Sequence, residues 1–218
     1  MKLNEKGRFL GYIIGAIILS MVPFVSLPFN WFETYFHEIS HSLAALATGG
    51  QVDRIEIYLI GGGKSFTVGG WSGVISFAGY AGAIFWGAAI YLGAQTSGTP
   101  SRWLAIVMSG LIIISGLFWA RNVSTVMIII TLAAILYISF KYVRGSFFPR
   151  VLEFTGIYVL ISAIHSPLNL VDGRNRGDGS ALSDLTYIPE IVWVIIWIAL
   201  GISALVGVWK LHENKKII

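Results

Sequence analysis

Seven runs of apolar residues, each close to the length that crosses a bilayer, recur along this 218-residue chain. They cover Phe9–Leu27, Trp31–Thr48, Trp71–Ala94, Trp103–Ala120, Val123–Phe140, Val151–Leu170 and Ile188–Leu211. Lipid offers no water to backbone N–H and C=O groups, so each run must close its own hydrogen bonds as a helix. Charged residues make up only 12% of the chain, about half the share of a soluble domain. The expected fold class is an all-α polytopic membrane protein with six to seven membrane helices. The expected layout is one integral membrane domain over residues 1–218, with no soluble accessory domain. The charged start MKLNEKGR precedes a long run without a small-x-small cleavage site, so the first run reads as a retained span rather than a signal peptide. The net charge of +4 suits an anionic lipid surface. No basic stripe interleaved with aromatics points to nucleic acid. Cysteine is absent, which excludes disulfides and thiolate-ligated zinc.

Between the second and third runs lies QVDRIEIYLIGGGKSFTVGG. Ile55, Ile57 and Leu59 alternate with Glu56, Tyr58 and Ile60, then Gly61–Gly63 leads to a short run over Ser65–Val68. This predicts a β-hairpin. A strand edge cannot face lipid, so the hairpin must lie in protein, in a cavity or at the interface. Gly79, Ala83 and Gly87 in the third run form one small-residue stripe, read here as helix-packing contact. Counting Lys and Arg by side, seven crossings split them 8 to 7. Six crossings, with Trp31–Thr48 not crossing, split them 10 to 5. The charge rule prefers six, with both termini cytoplasmic. In either layout the hairpin shares a side with the Val171–Leu185 segment.

The second run holds NWFETYFHEISHSLAALATGG, and with it Glu33, His37, Glu38 and His41. Ionisable groups at membrane depth are costly and need a cavity, a partner or a metal. Asn30 followed by Glu33 resembles a capping box, and Gly49-Gly50 a C-terminal stop. On the helix between them, His37 and His41 project from one face, one turn apart, where two imidazoles can hold one zinc ion. Glu38 stands beside the first ligand, in the place of a general base. A catalytic zinc takes a third protein ligand. The candidates by residue type are Asp53, Glu56, His165, Asp172, Asp178, Asp184 and Glu190.

FHEISHSLAALATGG, the Gly-rich hairpin with GGG, AGYAGA and GDGSALSDLTYIPEIVW together resemble the site-2-protease-type intramembrane zinc metallopeptidases. The closest likeness is to compact bacterial members with FHExxHxxAAxxTGG near the start. It covers roughly Trp31–Trp86 and Gly177–Trp193. The resemblance implies one Zn2+ per chain, held by His37, His41 and Asp178, with Asp172 in NLVDG as the alternative. It implies Glu38 as the catalytic base, and a membrane-protein or membrane-peptide substrate cut within or near its transmembrane segment in a bacterial inner membrane. Glu33, His165 and Asn169 are candidates for contacts around the metal or the substrate. The expected strand for an unwound substrate to pair with is Ile55–Ile60. The competing reading is a non-proteolytic metal-binding membrane protein or ion transporter using the same His/Glu cluster.

Overall fold

The computed structural model describes residues 5–95, 99–142, 145, 147–171, 174 and 176–214. The helices are α1 (Glu5–Ser20), α2 (Leu27–Ala47), α3 (Ser72–Ala94), α4 (Thr99–Trp119), α5 (Val123–Tyr142), α6 (Phe147–His165), α7 (Asp178–Thr186) and α8 (Glu190–Asn214). A 3-10 turn, Ser166–Leu170, continues α6. The strands β1 (Gln51–Ile57) and β2 (Gly63–Val68) form an antiparallel hairpin between α2 and α3. Among the described residues, α3, α4, α5, α6 with its turn, and α8 are long and apolar enough to cross a membrane. The protein is an integral, multi-pass membrane protein with a helical bundle and one small hairpin.

The start of α2 differs from the expectation. The helix begins at Leu27, with Pro28 in its first turn, where a fixed φ and a missing N–H carry no penalty. Asn30 and Glu33 are therefore interior residues, not a cap. Asn30 Oδ1 accepts a hydrogen bond from Tyr158 of α6 at 2.7 Å, and Glu33 Oε1 accepts one from Ser166 at 3.2 Å. The C-terminal stop is as expected. Gly49 turns left-handed at φ 83°, and the Gly50 N–H returns to the Ala45 carbonyl at 2.8 Å.

The hairpin's first strand is shifted from the predicted alternation. It starts at Gln51 and stops at Ile57, because Tyr58–Gly62 closes as a turn with Gly61 and Gly62 at positive φ. The outer edge of β1 is occupied. Its Ile57 N–H donates to Thr125 Oγ1 at 2.7 Å, Ser124 Oγ donates to the Ile57 carbonyl at 2.9 Å, and Ile55 bridges Ala120. The hairpin is thus fastened to the junction of α4 and α5. The expectation that a substrate pairs along Ile55–Ile60 is corrected by this: α4 and α5 already sit there, and β2 carries the open edge.

These contacts fix the path of the chain. Arg8 and Tyr12 in the first half of α1 meet Glu153 in the first half of α6, at 3.4 and 2.9 Å, so α1 and α6 set out from the same end. The hairpin lies at the opposite end, where α4 finishes and α5 begins. Hence α1 and α2 together run from one end of the bundle to the other once, as the six-crossing reading expects. Glu153 is a buried carboxylate that hydropathy alone conceals inside an apolar run, and Arg8 and Tyr12 satisfy it. Close helix contacts hold the bundle together. A methyl group on Gly156 would fall 2.6 Å from the Tyr91 nitrogen, and one on Gly87 2.8 Å from the Leu160 nitrogen, so α3 and α6 touch backbone to backbone. Tyr35, Phe36 and Ile39 of α2 are fully buried, with Phe36 stacked on Trp86 at 5.1 Å. The HEISH helix therefore lies inside the bundle.

Candidate metal centre

Helical spacing puts His37 and His41 on one side of α2. Their Nε2 atoms lie 3.0 Å apart. Asp178, the first residue of α7, reaches them from the far end of the sequence. Its Oδ2 lies 3.1 Å from His37 Nε2 and 3.3 Å from His41 Nε2. Gly177, at φ 100°, turns the backbone into α7, and α7 packs on α3 beside the HEISH helix. Two imidazoles and one carboxylate thus point at a common centre, all their ligand atoms within 4.8 Å of one another.

The donor set fits a metal ion. Ligands at zinc's usual bond lengths of about 2.0–2.1 Å stand roughly 3.3 Å apart in a tetrahedron, close to these spacings. His41 Nδ1 lies 2.6 Å from the Ile75 carbonyl. That acceptor keeps the proton on Nδ1 and leaves the Nε2 lone pair free for a metal, the usual support for a ligating histidine. The backbone of α3 runs directly behind the cluster. A methyl group on Gly79 would lie 2.5 Å from His41 Nε2 and 2.6 Å from His37 Cε1. Burial pushes the Asp178 carboxyl up, but hydrogen bonding and charge from His37 and His41 outweigh it and hold the group below the ordinary carboxylate range.

Glu38 is 4% exposed and lines the same cavity as the three ligand residues, a space of about 670 Å³. The start of β2 covers it. A methyl group on Gly63 would lie 2.8 Å from Glu38 Cγ and 3.0 Å from its Oε1. Gly63, Lys64, Ser65 and Thr67 of β2 form one wall of the cavity, and Leu170, Gly177 and Asp178 part of another. The hairpin and the segment leading into α7 therefore share one side of the protein. Ser42 Oγ of α2 meets Ser65 Oγ at 2.8 Å and ties the wall to the HEISH helix.

The other sequence candidates fall elsewhere. His165 and Asn169 are exposed and off the cavity. Glu33 is joined to the 3-10 turn through Ser166. Asp172 lies outside the described residues. Among the described residues, the only His/Asp/Glu group able to hold a metal is His37, His41 and Asp178. Two contributors fall within AGYAGA, a stretch that carries the resemblance without giving either residue a role. Gly79 belongs to a packing stripe, and its role against the imidazoles depends on how α2 and α3 meet. Tyr80 lines the cavity beside His37, and the sequence singles out no chemistry for it. A family model described as Peptidase M50B-like matches residues 10–208. No curated protein and no solved structure matches the chain.

Proposed function

The chain belongs to the Peptidase M50B-like family, and on that premise we propose that it is a zinc metalloprotease. It cleaves a peptide bond within or near the transmembrane segment of a membrane protein. The observation that carries the reading is the convergence of His37, His41 and Asp178 in a cavity that also holds Glu38, inside a membrane bundle. His37, His41 and Asp178 would hold the ion. Zinc, when bound, supplies Lewis-acid polarisation and lowers the pKa of water. Glu38 accepts the proton of the attacking water at its carboxylate and passes it to the departing amide nitrogen. Burial under Gly63 keeps that carboxylate from bulk water.

A transmembrane helix has its backbone groups paired and must unwind before cleavage. The open edge of β2 runs along the cavity and suits an extended peptide, held by main-chain hydrogen bonds as an added strand. The likeness to compact bacterial members supports a place in a bacterial cell membrane.

The test does not depend on which membrane protein is cut. Membranes from cells producing wild type or Glu38→Gln are compared by proteomics of new peptide termini. The reading predicts termini within or beside transmembrane segments that appear only with wild type, because losing the general base costs roughly 100- to 10,000-fold in rate. Identical termini in the two samples would contradict it.

A further inference from the structure

We propose that Tyr80 is a catalytic residue of this site. Its hydroxyl donates a hydrogen bond to the substrate carbonyl oxygen as that oxygen gains negative charge. The inference rests on the metalloprotease reading and adds a group that neither the HEISH motif nor the aspartate supplies.

The placement of Tyr80 is the first argument. It is one residue after Gly79, the point where α3 passes closest to the two imidazoles. Its ring meets His37 edge-on at 4.5 Å between centroids and Trp197 at 4.8 Å. Residues on α2 and α8 thus clamp the ring from two directions, and the side chain is only 8% exposed. A ring held this way cannot swing far, so its hydroxyl stays beside the ligand cluster.

The state of the hydroxyl is the second. It makes no hydrogen bond among the described residues, whereas the hydroxyls of the buried Tyr35 and Tyr158 each have a partner. A buried hydroxyl without a partner is costly to the fold. Yet among the described residues the buried polar side-chain atoms lacking a partner are Glu190 Oε1 and Trp193 Nε1, and the Tyr80 hydroxyl is not among them. It therefore keeps exposure, and the space Tyr80 lines is the cavity shared with His37, Glu38, His41 and Asp178. That cavity is where the proposal places the hydroxyl.

Chemistry supplies the third. Acyl transfer puts negative charge on the carbonyl oxygen, and a fixed neutral donor aimed at it acts without reorganising. Glu38 cannot donate while it holds the role of base. His165 and Asn169 are off the cavity. Ser65 is engaged with Ser42. Lys64, Thr67, Ser72 and Ser76 also line the cavity; Tyr80 is set apart by a ring packed on the ligand His37. The hydrogen bond shifts no proton and leaves the balance of the reaction unchanged: water adds to the carbonyl carbon, the C–N bond breaks, and Glu38 returns the proton to nitrogen.

The test is Tyr80→Phe, which keeps the ring against His37 and Trp197 and removes only the hydroxyl. Three quantities are measured on purified, zinc-loaded wild type and variant. These are zinc content, affinity for acetohydroxamate, which binds chiefly by chelating the metal and has no tetrahedral centre, and affinity for a phosphinic tripeptide, whose tetrahedral charged oxygen imitates the reacting carbonyl. We expect equal zinc, equal hydroxamate affinity, and phosphinic binding weakened roughly 100-fold, the lower end of what the loss of one such donor costs. Equal phosphinic affinity would overturn the proposal. Loss of zinc in the variant would overturn it too, by showing that Tyr80 serves to hold His37. Wild type that takes up no zinc would instead sink the metalloprotease reading beneath it.

Discussion

Gly79 shows how tightly the candidate centre is built at the level of single atoms. A methyl group there would sit 2.5 Å from His41 Nε2, and the obstacle is a pair of imidazoles that cannot retreat without breaking their convergence. Gly79→Ala is expected to cut zinc content to less than about half of wild type while leaving the helical circular dichroism unchanged, since alanine favours a helix over glycine. Gly73, with open space around its α-carbon, is the control, and Gly73→Ala should keep its zinc. The HEISH triplet is legible in the sequence because a helix fixes the geometry of residues three and four apart. By residue type alone Asp178 is legible only as one of several acids, and it is the resemblance of GDGSALSDLTYIPEIVW that favours it over Asp172. Its approach depends on Gly177, α7 and the packing of α7 on α3, none of which is local to α2. Glu33 departs from its expected place for a related reason: Pro28 moves the helix start upstream and turns a supposed cap into an interior group.

The hairpin is the element that most changes the expected picture. The pattern of QVDRIEIYLI marks a strand but cannot say which edge is free, because that depends on where α4 and α5 end. With the Ile57 N–H donating to Thr125 and the Ile57 carbonyl accepting from Ser124, Ile57 is a docking residue. Ile57→Pro removes that donor from a fully buried position. It is expected to lower thermal stability by roughly 1–3 kcal/mol from the unpaired hydroxyl acceptor alone, visible as an earlier melting transition in detergent. An unchanged melting temperature would mean that the hairpin is not anchored there. The long helices α3, α4, α5, α6 and α8 are readable almost residue by residue, since a membrane span needs little beyond length and apolarity. The run holding Glu33, His37, Glu38 and His41 is marked as odd by those same charges, and it is not among the described helices long and apolar enough to cross a membrane.

At the scale of the whole molecule, the path of the chain assigns Lys and Arg to two ends. Among the described residues, Lys6, Arg8, Arg102, Lys141, Arg150 and Lys210 fall at one end and Arg54, Lys64, Arg121, Arg174 and Arg176 at the cavity end, and the six-crossing reading of the sequence puts ten of the fifteen on the first side. Where positive charge marks the cytoplasmic side, the cavity mouth is expected on the opposite face, whereas the site-2-protease likeness implies a site nearer the cytoplasmic face. The absence of cysteine makes this easy to check with single-cysteine variants. Ser72→Cys, exposed at the cavity, should react with a membrane-impermeant maleimide in intact cells. Arg150→Cys, exposed at the start of α6, should react only after lysis. The reverse pattern would invert the protein and open the site to the cytoplasm.

The central claim, that α2 and α7 assemble one metal centre from residues 137 positions apart in sequence (41 to 178), is tested most directly by metal analysis. Zinc per chain is measured by mass spectrometry on wild type, His37→Ala, Asp172→Ala and Asp178→Ala, all purified without chelators. The account predicts about one zinc in wild type and in Asp172→Ala, and its loss in His37→Ala and Asp178→Ala. Zinc retained by Asp178→Ala, or absent from wild type, would contradict it.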